Sequence, residues 1–365
     1  MKISKISVRR LQIPLRLRFE QSNSRAAYSD STIVEINTGN NLIGYGESCP
    51  RPYVTGEDFV TVSRDIHDVA DLLKQTAFKS IEDIRECVTV VLPRHMGPAA
   101  VCAVELALLD AWSKETGTPM AAALGATLPA RVQYAGVVPL RSPEGAAQLM
   151  ALMRHFAFKD LKLKIDANLD ANLARIDAVR AVFPAHIPLR VDVNCAWSWD
   201  DAIRHIPALL KKGIWVIEQP FPTGQDADAA RLQRHFGDDI CLMADESLTT
   251  PATARHLLQQ QACRRFNLKV SKHGGIFNTL SIYRMARAQG ITCQLGAHFG
   301  ETSILTAAGI TLAAMAGPLT AMEGGLGTHL LEYDLVQPSL QIDAGGAILL
   351  GGEREGWGVE ENIYV

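Results

Sequence analysis

The chain has 365 residues, 47% of them hydrophobic and 21% charged, proportions of a globular protein long enough for one large domain or two linked ones. Its 36 basic and 39 acidic side chains leave a net charge of −3 with no long run of either sign, which argues against nucleic acid or an anionic membrane as partner. No apolar run reaches the ~20 residues needed to span a bilayer. Seven scattered cysteines without a C-x-x-C pair predict free thiols in a cytoplasmic protein.

The opening MKISKISVRRLQIPL alternates as a strand does, with no secretory hydrophobic region behind it. STIVEINT and LIGYGES follow, joined by a turn at Gly39-Asn40-Asn41, and the three runs predict a small antiparallel sheet with a hairpin. Two stretches exceed the needs of a tight turn: the polar loop Phe19–Asp30 and residues 49–56, CPRPYVTG. Loops of that length either carry function or are ordinary surface loops. Residues 57–125 are expected to be mainly helical. GEDFVTVSRDIHDVADLLKQ is amphipathic, and AAVCAVELALLDAWSKETG is apolar enough to be buried, ending at Gly117. LGATLPARV reads as the way out of this α+β part.

From Arg131 a rhythm sets in. Apolar runs fall at 132–138, 159–165, 187–193, 214–218, 240–245, 265–270, 291–296 and 319–324, with helix-like spacing between them. Eight strands alternating with helices are the count of a (β/α)8 barrel. An open doubly wound sheet is the rival, but the first run leads into VVPLRSPE, without a glycine-rich phosphate turn. The expected organisation is α/β: a TIM-type barrel over 126–339, an α+β domain over 1–125, and a glycine-rich tail at 340–365 returning to that domain.

Five charged residues stand at or beside strand ends: Lys164, Asp192, Glu218, Asp245 and Lys269, spaced 24–28 residues apart. In a parallel barrel all strand C-termini share one rim, where active sites lie. Asp192, Glu218 and Asp245 on consecutive strands would gather hard oxygen ligands suited to Mg2+, with Mn2+ as substitute. Lys162 and Lys164 share a strand face by the two-residue period, and Lys269 lies almost across the rim. A lysine crowded by cations loses its proton more readily and can act as a base. A metal beside a substrate carboxylate would stabilise charge formed when the adjacent carbon is deprotonated.

These motifs (K-x-K at 162–164, VDVN, IEQP, ADES and NLKVSKHGG) resemble the enolase superfamily, in its muconate-lactonizing-enzyme subgroup. The resemblance covers nearly the whole chain. It implies Asp192, Glu218 and Asp245 as metal ligands and Lys164 and Lys269 as acid/base groups, with Lys162 assisting. It also implies a capping domain at the N-terminus whose two loops cover the pocket. A small-molecule carboxylate substrate and a homo-oligomer are expected. Substrate-contact candidates are Phe19, Tyr28, Arg51 and Tyr53 in the loops, with Asn194, His298, Glu301 and Glu323 at the rim.

Departures bear on substrate. The Asp-x-Asp that holds an ammonium group in the family's dipeptide epimerases is absent from Ala321-Met-Glu-Gly-Gly325. Glu323 would either receive a cationic group or be tied internally. His298 is either a substrate contact or a neutral loop residue, and Lys272 reads as a supporting charge. The expected activity is a metal-dependent isomerase, either a racemase or epimerase or a cycloisomerase. A dehydratase or lyase using the same lysines is the alternative, and a silent barrel or a histidine-liganded hydrolase are further rivals.

Overall fold

The computed structural model describes residues 1–21, 24–325, 327–352 and 354–359, with the backbone alone at 17–21, 24–26, 143 and 152. Five strands open the chain: β1 (Ile3–Leu11), β2 (Pro14–Gln21), β3 (Ser24–Tyr28), β4 (Ser31–Thr38) and β5 (Ile43–Ser48). β4 pairs antiparallel with β1 and β5, as the alternation predicts. The polar loop expected at 19–30 is instead mostly a second hairpin, β2 with β3. Its signal was the strict alternation of PLRLRFEQ, which favours a strand in spite of the charges. Phe19 falls in β2, and its side chain lies outside the described residues.

Helix 59–75 starts where Asp58 accepts the Thr61 N–H, a reciprocal capping box, and buries Val62, Ile66, Val69 and Leu73 along one stripe. Helix 98–116 is apolar all round and ends on Gly117 at φ +60°, the left-handed cap that glycine adopts without strain. It rests directly on β5: a Cβ at Gly44 or Gly46 would collide with the carbonyl oxygens of Ala107 or Ala103. Its Leu106, Leu108 and Leu109 are fully buried, each contributing roughly 2 kcal/mol.

The run at 132–138 is two strands. β6 (Arg131–Gln133) pairs antiparallel with the tail, and β7 (Gly136–Val138) begins the parallel sheet. Between them Tyr134 and Ala135 donate their N–H groups to Gly346 and Met322 respectively, so the strand changes partner there. β7 is followed by β8 (Leu161–Lys164), β9 (Leu189–Asp192), β10 (Val216–Glu218), β11 (Cys241–Ala244), β12 (Arg265–Leu268) and β13 (Thr292–Leu295), all parallel and neighbours in chain order. A helix lies between each successive pair. These strands are buried on both faces, which is why they read as apolar runs.

The eighth run, expected as a strand at 319–324, is reduced to one bridge, Met322 to Leu295. That short segment still reaches both sheet edges: Glu323 donates to Leu295 O at 2.8 Å, and Met322 O accepts the Ala135 N–H at 2.7 Å. The curled sheet's two edges thereby meet through it. The tail strand β14 (Ala347–Leu349) lies on β6, whereas Trp357 further on reaches helix 98–116. Its ring N–H donates to Leu106 O and its backbone N–H to Asp110. The tail therefore touches both parts of the molecule, beyond the return to residues 1–125 expected for it.

Candidate active site

Register gathers the charged residues at the strand C-termini. Lys164 is opposite Asp192, and Asp192 opposite Glu218, across three adjacent strands. Lys162 and Lys164 point the same way: their Nζ atoms lie 3.4 and 3.5 Å from Asp192 Oδ2. Lys164 donates to Asn194 Oδ1 at 2.8 Å. Lys162 is 3.3 Å from Glu218 Oε2 and 2.6 Å from Glu323 Oε2. Asp245 follows β11 and takes two lysines, Lys269 on Oδ2 and Lys272 on Oδ1, each at 2.6 Å. Lys272 is fully buried and donates further to the Asp245 and Asn267 carbonyls, so it is the supporting charge its position suggested.

The loops after β9 and β10 carry left-handed residues that are not glycine: Asn194, Cys195 and Gln219, at φ +46°, +67° and +38°. Such backbone persists only where its surroundings hold it. Here Cys195 N–H bonds Gln219 O at 2.9 Å, and Gln219 Oε1 accepts the Asp245 N–H at 3.0 Å.

A cavity of about 310 Å3 opens over this end of the sheet. Lys162, Lys164, Asp192, Asp245 and Lys269 line its polar floor, and Leu149, Met153, Phe156 and Leu330 an apolar side. Tyr53, Asn194, His298 and Glu323 also line it. Glu218 lies beneath, its carboxylate covered by Lys162 and by Asn267, which donates at 2.7 Å. Three candidates, two from the loops and one from the rim, stand off the lining. Tyr28 is 55% exposed, Arg51 is bound to the carbonyls of Asp30, Pro50 and Phe299, and Glu301 takes the His298 backbone N–H. Glu323 is tied internally: besides Lys162 it accepts from Arg190 at 2.5 Å and Gln294 at 3.0 Å.

The electrostatics follow from burial and crowding. Burial, and next the charge of Asp192, push the Glu218 carboxyl well above the usual carboxylate range. Burial opposes ionisation of Asp245 too, but Lys269 and Lys272 outweigh it and hold that group well below its ordinary value. Lys269 is the counterpart: burial would lower it, and Asp245 raises it instead. For Glu323, burial is overcome by Lys162 and Arg190, leaving it near about 2. His298 is pushed well down by burial and by Lys269, so its imidazole is neutral.

Among the described residues, no three His, Cys, Asp or Glu side chains are disposed to hold a metal ion as they lie. The three expected ligands are each paired with an ammonium instead. The donor set nevertheless fits a hard divalent cation: three carboxylates, with Glu218 driven toward neutrality by burial and an adjacent anion. Sequence reasoning missed Arg190, Asn267 and Gln294. Arg190 and Asn267 precede Asp192 and Lys269 by two residues, and the two-residue period that paired Lys162 with Lys164 would have placed them on the inner face.

Lysines and carboxylates converging at the ends of a curled parallel β/α sheet define the class. Residues 144–363 match the enolase C-terminal domain-like family, and the chain belongs to it, within the enolase superfamily. It is 29% identical to the hydrophobic dipeptide epimerase of Enterococcus faecalis, over 98% of this chain and 99% of that one. It is 30% identical to muconate cycloisomerase 1 of Rhodococcus opacus, over 91% and 88%. The structure of the Enterococcus faecalis dipeptide epimerase complexed with Mg and the dipeptide L-Leu-L-Tyr superposes with a TM-score of 0.88 at 28% identity, covering 99% of this chain and 100% of that one.

Proposed function

We propose that this protein is a metal-dependent isomerase that removes and returns the proton on the carbon next to a substrate carboxylate. The observation that carries the reading is the placement of Lys164 and Lys269 on one cavity, with buried carboxylates beside them. Lys164 has a neutral amide as its 2.8 Å partner and is placed to accept the α-proton at Nζ. Lys269, held protonated by Asp245 at 2.6 Å, is placed to deliver a proton to the same carbon from the other side. The electron pair released from the C–H bond spreads into the carboxylate and returns to carbon as the new C–H bond forms. Running the steps in reverse interconverts the other isomer. Asp192, Glu218 and Asp245 would hold Mg2+ or Mn2+, which supplies positive charge beside the substrate carboxylate as that negative charge develops.

We read the chain as a (β/α)8 barrel over 126–339, capped by 1–125 and the tail; the seven parallel strands with helices between them support the barrel part of that reading. We rank racemisation or epimerisation first and lactone opening and closing second; similarity to an epimerase and a cycloisomerase supports both readings.

The test is incubation in deuterated water, with Mg2+, of dipeptides, N-acyl amino acids and unsaturated dicarboxylates. Deuterium entering the α-position, with inversion, is expected. No exchange from any member, and no change on Lys164→Ala, would refute the proposal. Loss of water from the product would assign the dehydratase chemistry instead.

A further inference from the structure

Core histidines in this protein satisfy one ring nitrogen and leave the other. His205 Nδ1 meets Asp201 O at 2.8 Å, and His273 Nδ1 meets Thr249 O at 3.0 Å, their Nε2 atoms being unpartnered among the described residues. His298 is different. It is 8% exposed, it lines the cavity, and among the described residues neither of its ring nitrogens meets a partner. A buried polar group left unmatched is costly in the empty protein and is matched when a ligand supplies the bond. We propose that His298 is a substrate-binding residue, its imidazole hydrogen-bonding an uncharged amide-type group next to the reacting carbon.

The chemistry of that group follows from the neighbourhood. Burial, then Lys269 and Arg51, keep the ring neutral, so it offers one N–H and one lone pair, which an amide matches. An ammonium would find no uncommitted carboxylate among the described residues: Asp245 is held by Lys269 and Lys272, and Glu246, raised by burial to about 7, accepts from Asn194. Glu301, whose carboxyl burial pushes up to about 8, is uncharged at neutral pH. Glu323 is committed to Lys162, Arg190 and Gln294. This inference rests on the isomerase reading for the location of the reacting carbon, and names the residue that selects what is attached to it.

The experiment uses full-length protein with Mg2+ and matched probes: the N-acetyl derivatives of L-leucine, L-phenylalanine, L-glutamate and L-arginine, and the same four acids lacking the acetamido group. Affinities are measured by calorimetry for wild type, His298→Phe and His298→Gln, alongside the 15N ring signals of His298. His298→Phe should lose about tenfold in affinity for acetamido probes, the scale of a neutral hydrogen bond. Affinity for the matched acids should be unchanged, and His298→Gln should recover part of the loss. A structural role would weaken both series equally. An equal fall in both, unchanged affinities, or ring signals that no acetamido probe moves would overturn the inference. Probes that move the ring signals without exchanging an α-hydrogen would uphold the contact and remove these N-acetyl acids from the isomerase's substrates.

Discussion

Replacing Lys272 by methionine isolates what its buried ammonium does for the site. The amine is fully buried and bonds Asp245 Oδ1 at 2.6 Å, Asp245 O at 2.7 Å and Asn267 O at 3.0 Å. Methionine keeps the apolar stem and most of the volume, so no large cavity forms. What is lost is one partner of a buried ion pair and the donor to two backbone carbonyls. Removing one member of such a pair costs about 3–5 kcal/mol, because the remaining charge stays buried. Lys269 still faces Asp245, which places the expected loss near ~3 kcal/mol, the lower end of that range. At roughly 2 °C per kcal/mol the midpoint should fall by about 6 °C. Urea unfolding followed by circular dichroism, in chelator so that no metal compensates, measures it directly. A loss below about 0.5 kcal/mol would refute the reasoning, since it is within the range of a surface substitution.

Three further outcomes are expected. Exchange of the α-hydrogen should become one-sided: Lys164→Ala should slow it for one isomer and Lys269→Ala for the other, each by about 10²–10⁴-fold, and equal slowing of both isomers by either variant would contradict separate faces. Mg2+ at 100 times its dissociation constant should raise stability by about 2.7 kcal/mol, and a gain of the same size in Glu218→Gln would show that the ion binds elsewhere. The third outcome concerns pH. Burial raises Glu47 to about 7, and Glu105 and Glu301 to about 8. The folded state therefore binds more protons than the unfolded one between their unfolded values near 4.5 and those folded values. Stability is then full below that window and is lost as pH rises through it. Midpoints that climb from about pH 5 to about pH 8 would reverse the sign.

The parallel sheet was legible because strands buried on both faces leave continuous apolar runs, and a charged residue interrupting one stands out. Lys164, Asp192, Glu218, Asp245 and Lys269 are such interruptions. The strand at 319–324 was harder to read: its composition suits a strand, but its pairing is one bridge, and pairing depends on residues far away in the chain. The hairpin at 14–28 was hidden by polarity, although its alternation was present. The network of Glu323 with Arg190, 133 residues away, is a tertiary fact with no local trace. It decides that Glu323 is tied internally, a choice the sequence left open. The side-chain pairing of the three carboxylates with lysines was likewise unreadable, since ligand sets are inferred from position and ion pairs from geometry.

The antiparallel partnership of β6 with β14 joins residues more than two hundred positions apart. Nascent chains emerging from the ribosome therefore carry an unfinished edge until residue 347 and its neighbours appear. Contacts of such separation are slow to form, and premature termination anywhere before residue 347 leaves β6 without its mate and the groups around Asp110 without Trp357. Synthesis thus meets a late checkpoint, and a chain stopped between residues 331 and 346 should behave as a folding defect while every residue lining the cavity is still encoded.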